Sequence, residues 1–152
     1  MLEALQHSWL ARAIGESQML TASLSAVHLI GFTTVTGSAV LSNLRLAGLA
    51  LHELPASEVT RPATRALAVG LLLSAVTGFL LFAPRATGAA VNSTFRLKLS
   101  LLLAAAVTHF VLHQRMAARE SVSRGRARMV GALGLALWLG VAVAACAFIL
   151  LE

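Results

Sequence analysis

Five histidines are the residues of this sequence best suited to chemistry, and three of them lie within or at the edge of long apolar segments. His28 lies in the first such segment, and His109 and His113 lie in the third, four residues apart on one helix face. An imidazole in an apolar setting needs partners for both nitrogens, so such residues usually face a bundle interior and often mark a site. His7 and His52 fall in more polar stretches, which predicts surface positions.

These three histidines suggest a haem or metal site. Neutral imidazole is the usual axial ligand of b-type haem, and helix bundles hold cofactors between facing helices. We therefore expect haem b to be held by His28 together with His109 or His113. The alternatives are a metal ion on the same three residues, completed by His52 near His113, and polar contacts that only join helices.

The depths of the histidines limit this pairing. By helical rise, His109 lies about 8 Å deeper than His28, a gap that helix tilt could close. His113 lies about 6 Å deeper still, which makes a sandwich with His28 less natural in one chain. Ligation by one His, or by histidines of two chains, would relax the limit.

Other chemistry is poorly supported by the sequence. All six acidic residues lie at the ends or connections of the apolar segments, so no intramembrane acid/base pair or carboxylate relay is indicated. No Cys-x-x-Cys-His element exists for covalent haem attachment, and the single cysteine is Cys146. The chain is therefore expected to be an electron-transfer or accessory protein rather than an enzyme with its own substrate.

Asn43 and Arg45 follow the first apolar segment and are candidate partners of an anionic group. Their side chains could hydrogen-bond a haem propionate, a lipid phosphate or the carbonyl groups at a helix end.

Composition predicts where these residues are held. The chain of 152 residues is 58% hydrophobic and 12% charged, with a mean hydropathy of +0.83, which exceeds what a small soluble core could bury. About 20 apolar residues suffice for a helix to cross the hydrocarbon layer. We predict one all-α domain, an integral membrane four-helix bundle, with spans at about 19–42, 66–84, 95–114 and 129–151.

Two further segments border the first span. Residues 2–15 place Leu2, Leu5, Trp9 and Ala13 at helical spacing, which predicts a short interfacial helix at the N-terminus. No basic start leads directly into an apolar run, so a cleaved signal peptide is not expected. Residues 45–53 are amphipathic and are predicted to continue the first helix beyond the membrane.

Small residues form rows on three of the spans. Such rows allow close helix packing in lipid, and the alternative is clearance for a flat cofactor ring. The row of the second span is Gly70, Ser74 and Gly78, that of the first is Gly31, Gly37 and Ser38, and that of the fourth is Gly131 and Gly134.

The positive charges predict the orientation. The net charge is +6, and the cations lie in short segments between the apolar runs. This distribution suits an anionic lipid surface better than nucleic acid. One side carries Arg45, Arg61, Arg65, Arg115, Arg119, Arg124, Arg126 and Arg128, and the other carries Arg12, Arg85, Arg96 and Lys98. The excess places the first and third connections in the cytoplasm and both chain ends outside.

Two stretches carry a resemblance to a known group of proteins. They are residues 28–48, from His28-Leu29-Ile30-Gly31 to Asn43-Leu44-Arg45-Leu46-Ala47-Gly48, and residues 92–115, from Asn92-Ser93-Thr94-Phe95-Arg96-Leu97-Lys98 to His113-Gln114-Arg115. The chain resembles a family of uncharacterised bacterial four-helix inner-membrane proteins. It departs from that family at Asn43, where an acid is expected, and at Ala144-Ala145-Cys146, where Gly-Arg is expected.

The resemblance extends loosely to small membrane cytochromes b and to the membrane domain of copper-resistance proteins. It implies that His28 and His113 are the pair to test first. Our leading expectation is a bacterial inner-membrane haem b protein that transfers single electrons. A non-catalytic accessory subunit of a larger membrane complex is the alternative, and transport of a metal or small solute by an oligomer is a weaker one. A homo-oligomer or membership of a larger complex is expected in each case.

Overall fold

The computed structural model describes residues 1–51, 53–113, 115 and 123–150, without the side chains of 112, 113 and 148–150. Its regular elements are α1 (Leu2–Gln6), α2 (Trp9–Glu16), α3 (Gln18–Ala47), α4 (Ala56–Phe82), a 3-10 turn (Ala83–Arg85), α5 (Ala86–Val91), α6 (Ser93–Val107), a π-helical turn (Thr108–His113) and α7 (Arg124–Leu150). The prediction of an all-α chain with four helices long and apolar enough to cross a membrane is confirmed.

The first long helix ends later than its predicted span and the second begins earlier. Ser17 caps α3 by accepting a hydrogen bond from the Leu20 amide, and Gly48 ends the helix in the left-handed region at φ 72°. The continuation predicted for residues 45–53 is therefore shorter than expected, because the helix ends at Ala47. The helix α4 begins at Ala56 instead of 66 and contains Pro62, which lacks the N–H that would otherwise bond within the helix.

The N-terminal segment forms two short helices rather than the predicted single one. Ser8 breaks the segment and caps α2 by accepting from the Ala11 amide, so Ala11 and Ile14 become the buried residues. Trp9 is 80% exposed. Gln6 accepts hydrogen bonds from the amide and hydroxyl of Thr87, which tie α1 to α5. We call the end of the bundle that carries α1, α2 and α5 the capped end, and we call the opposite end the far end.

The helix α3 lies between α4 and α7, and α6 packs on α7. The contact of α3 with α4 runs through the predicted small residues. A Cβ added at Gly31 would lie 2.6 Å from the Ser74 hydroxyl oxygen and 3.1 Å from the Gly70 carbonyl oxygen. Backbones this close leave no room for a larger side chain, which supports the packing role of this row. Gly37 is different, because nothing lies within 4 Å of its added Cβ among the described atoms.

The contact of α3 with α7 is equally close. A Cβ at Gly131 would lie 2.7 Å from the Ala47 nitrogen and 2.8 Å from the Asn43 carbonyl oxygen, and one at Gly134 would meet the Asn43 side chain. The small residues at the start of the fourth span therefore serve helix packing.

The core lies between these helices and is filled by Val35, Ala39, Leu67, Ala105, Trp138 and Val141. Trp138 is 1% exposed, and its indole nitrogen has no hydrogen-bond partner among the described atoms. In contrast, the backbones of α4 and α6 hardly approach each other over the described residues. Side chains bridge that gap: the rings of Phe82 and Phe95 stack with centroids 5.4 Å apart near the capped end.

Candidate functional site

His28 lies on α3 near the capped end, and its half-buried ring contacts α4. Its Nδ1 atom lies 3.0 Å from the hydroxyl oxygen of Thr77, which is itself buried. A Cβ at Gly78 would lie 3.0 Å from the Cε1 atom of His28. Gly78, the last of the three small residues on α4, therefore leaves room for the imidazole ring of His28.

The hydrogen bonds of Thr77 indicate which nitrogen of His28 carries the proton. The Thr77 hydroxyl lies 2.7 Å from the Leu73 carbonyl oxygen, and if it donates its single hydrogen there, it is an acceptor towards His28. This arrangement favours a neutral ring with its proton on Nδ1, and the backbone of Ser74 also hydrogen-bonds the ring. The Nε2 atom then keeps its lone pair, and this is the arrangement typical of histidines that bind a metal through Nε2 while Nδ1–H is held by an acceptor.

His109 lies in the π-helical turn that follows α6 and is 2% exposed. Its Nε2 atom lies 3.1 Å from the hydroxyl oxygen of Thr64 on α4. Single-turn π-helical segments inside helices often occur at functional sites. Here the turn brings a buried imidazole to α4 near the far end, where the two helix backbones are otherwise apart.

The two rings contact α4 at different levels. Thr77 and Thr64 are thirteen positions apart in one helix, which corresponds to about 20 Å at 1.5 Å per residue. This separation exceeds the difference in depth of about 8 Å that helical rise predicts for His28 and His109. Axial ligands bind the two faces of one iron, so His28 and His109 of one chain do not ligate the same haem in this arrangement.

The other histidines add little to these two. The side chain of His113 and the whole of His52 lie outside the described residues, so their predicted metal site near the far end is untested. His7 ends α1 at an exposed position, as predicted. Within the described part of the chain, no three His, Cys, Asp or Glu residues are grouped as a metal site would require.

Asn43 and Arg45 are both engaged by the chain itself. Asn43 is 1% exposed, and its amide nitrogen donates to the Ala39 carbonyl oxygen at 2.8 Å. The guanidinium group of Arg45 donates to the carbonyl oxygen of Leu54. Both side chains thus donate to backbone carbonyl groups, and the haem propionate and lipid phosphate partners stay predictions.

Sequence analysis did not single out Thr64, Thr77 or Lys98 as site residues. The two threonines are ordinary helix residues in the sequence, and only the packing of α4 shows that each meets an imidazole. Lys98 is half-buried, and its charge acts on the His28 ring. A cation six residues into an apolar helix was the available signal.

The fold and the site define a helical bundle with four helices that could cross a membrane and histidines at two levels along α4. The chain belongs to a family of unknown function, DUF6644, whose match covers residues 7–150. Membership of an uncharacterised family is thereby confirmed, whereas similarity to cytochromes b and copper-resistance domains stays a prediction. No curated protein and no solved structure matches the chain.

Proposed function

We propose that the protein is a bacterial inner-membrane haem b protein in which His28 is an axial ligand. The observation that carries the proposal is the hydrogen bond from His28 to Thr77, which leaves the Nε2 lone pair free for iron. The bound haem would cycle between Fe(III) and Fe(II) and exchange single electrons with partner proteins.

The proposal assigns one iron ligand to this chain near the capped end. His109 is bonded to Thr64 about 20 Å away and acts as a contact between helices. This chain would thus supply one ligand to the iron, and any second ligand would come from outside the described residues, such as a second copy of the chain. The excess of cations at the connections supports both chain ends lying outside the cytoplasm, with the capped end facing outwards.

An absorption spectrum tests the proposal directly. The protein is expressed with ample haem, purified in detergent and compared with His28→Gly. The wild-type protein should show a Soret band with about one haem per chain, and His28→Gly should lose it and regain it on addition of imidazole. A wild-type protein without a Soret band, or a variant with an unchanged spectrum, would contradict the proposal.

The second candidate function is an accessory subunit of a larger membrane complex. It is favoured by an open groove of about 500 Å³ between α3 and α4, lined by residues that include Gly37, Ser38, Leu41, Pro62 and Ala63. The added Cβ of Gly37 meets no atom of the described residues within 4 Å there, and small residues of this kind allow another helix to approach closely in lipid.

This candidate is tested by purification in a mild detergent with and without the substitution Gly37→Leu. A stoichiometric partner that binds the wild-type protein and is lost with Gly37→Leu, together with a spectrum free of haem, would favour the accessory role. A haem-bearing protein with no partner would exclude it.

A further inference from the structure

Lys98 is a cation of α6 that has no acidic partner among the described residues. It is half-buried, and the described residues include only four acids, Glu3, Glu16, Glu53 and Glu58, all outside the predicted spans. Lys98 makes no hydrogen bond or ion pair with any residue that the structure describes. Ionisable residues in such a position are costly in a bilayer, and they typically mark a site.

The stacked phenylalanines place Lys98 next to His28. Phe82 ends α4 and Phe95 lies in the first turn of α6, and the two helices run in opposite directions. One turn deeper on each helix are Gly78, four residues before Phe82, and Lys98, three residues after Phe95. The Gly78 position is in contact with the His28 ring, so Lys98 lies at the level of that ring.

His28 on α3 and Lys98 on α6 therefore lie at a similar level near the capped end, where the charge of Lys98 acts on the ring. On one side the neutral His28 offers a lone pair at Nε2, and on the other Lys98 offers a positive charge with three N–H donors. A ligand that combines a metal centre with an anionic arm would satisfy both. A metal porphyrin with free carboxylates has this combination, because its propionate groups extend from the edge of the ring that carries the iron.

We propose that Lys98 binds a propionate group of the haem whose iron is ligated by His28, so that the site selects tetrapyrroles with free carboxylates. This inference rests on the proposed function. The ion pair would form at a half-buried position, where two opposite charges attract each other more strongly than in water. Arg96 lies on the same helix but is exposed, so it serves as a control cation that is not part of the site.

The test compares two haems on four forms of the protein in detergent. Haem b and its dimethyl ester, which lacks the carboxylate charges, are titrated into the wild-type protein, Lys98→Met, Lys98→Arg and Arg96→Met. Lys98→Met should weaken haem b binding about tenfold, which corresponds to about 1.4 kcal/mol, and should leave ester binding unchanged. Arg96→Met should alter neither, and Lys98→Arg should restore the preference for haem b.

Each outcome distinguishes this inference from the function on which it rests. If the wild-type protein binds neither haem, the proposed function fails. If both haems bind through His28 and Lys98→Met weakens both equally or neither, the role of Lys98 alone is overturned. Should Lys98→Met not fold, thermal unfolding of the wild-type protein decides, because saturating haem b should raise the midpoint more than the ester does. Equal midpoints would overturn the inference.

Discussion

Two kinds of helix contact hold this bundle together, and they differ in what they leave between the backbones. The contacts of α3 with α4 and α7 are backbone to backbone, through Gly31, Gly70 and Gly131. The helices α4 and α6 are joined by side chains instead, the Phe82–Phe95 stack being one such bridge. The close contacts leave no room for a ligand where their glycines meet, whereas the bridged pair keeps its backbones apart.

The largest effect is expected where α3 meets α7. Gly131→Ala would place a Cβ within 2.7 Å of the Ala47 nitrogen, and backbone atoms cannot move away as the end of a side chain can. The free energy of unfolding should fall by about 3 kcal/mol, measured by thermal or denaturant unfolding in detergent. Gly125→Ala in the same helix is the matched control, because no described atom lies within 4 Å of its added Cβ. Equal stability of the two variants would show that the helices are not in close contact.

A somewhat smaller loss is expected where α3 meets α4. Gly31→Ala would bring its Cβ to 2.6 Å from the Ser74 hydroxyl oxygen and 3.0 Å from the Ser74 nitrogen. We expect a loss of about 1–3 kcal/mol. Gly37→Ala on the same helix should be neutral or stabilising by up to about 1 kcal/mol, since alanine is the better helix former. The comparison fails if Gly37→Ala destabilises as much as Gly31→Ala.

The smallest effect is expected at the bridged pair. Thr64→Val removes the hydroxyl group that lies 3.1 Å from the Nε2 atom of His109, and hydrogen bonds between membrane helices contribute about 1 kcal/mol. Thr64→Ser keeps the hydroxyl and should keep the stability. Haem affinity should not change in either variant, because this contact is far from His28. A loss of haem with Thr64→Val would contradict the proposal that haem binds at His28, near the capped end.

The sequence predicted the architecture well because its signals are local. Uninterrupted apolar segments identified the four long helices, and the glycine rows identified the close contacts. The break at Ser8 was missed because a short capping hydrogen bond competed with an amphipathic pattern that continued through it. The early start of α4 was missed because only the apolar residues from 66 onwards signal a span, whereas the more polar residues before them continue the same helix.

The site was predicted less completely because it depends on how helices face each other. His28 and His109 were identified as candidates by residue type alone. Their separation and the proton position on His28 depend on Thr64 and Thr77, whose roles arise from the packing of α4 against other helices. Lys98 was visible as a charge in an apolar helix, but its place beside His28 follows from the stacking of Phe95 on Phe82.

The central claim is that the two buried imidazoles have different roles, and one titration measures this. Haem b is added to the haem-free protein carrying either His28→Ala or His109→Ala, and the Soret band is followed to saturation. The account predicts that His28→Ala loses the spectrum of a histidine-ligated haem, while His109→Ala keeps it and is only less stable. Retention of the band by His28→Ala, or its loss in a folded His109→Ala protein, would contradict the account.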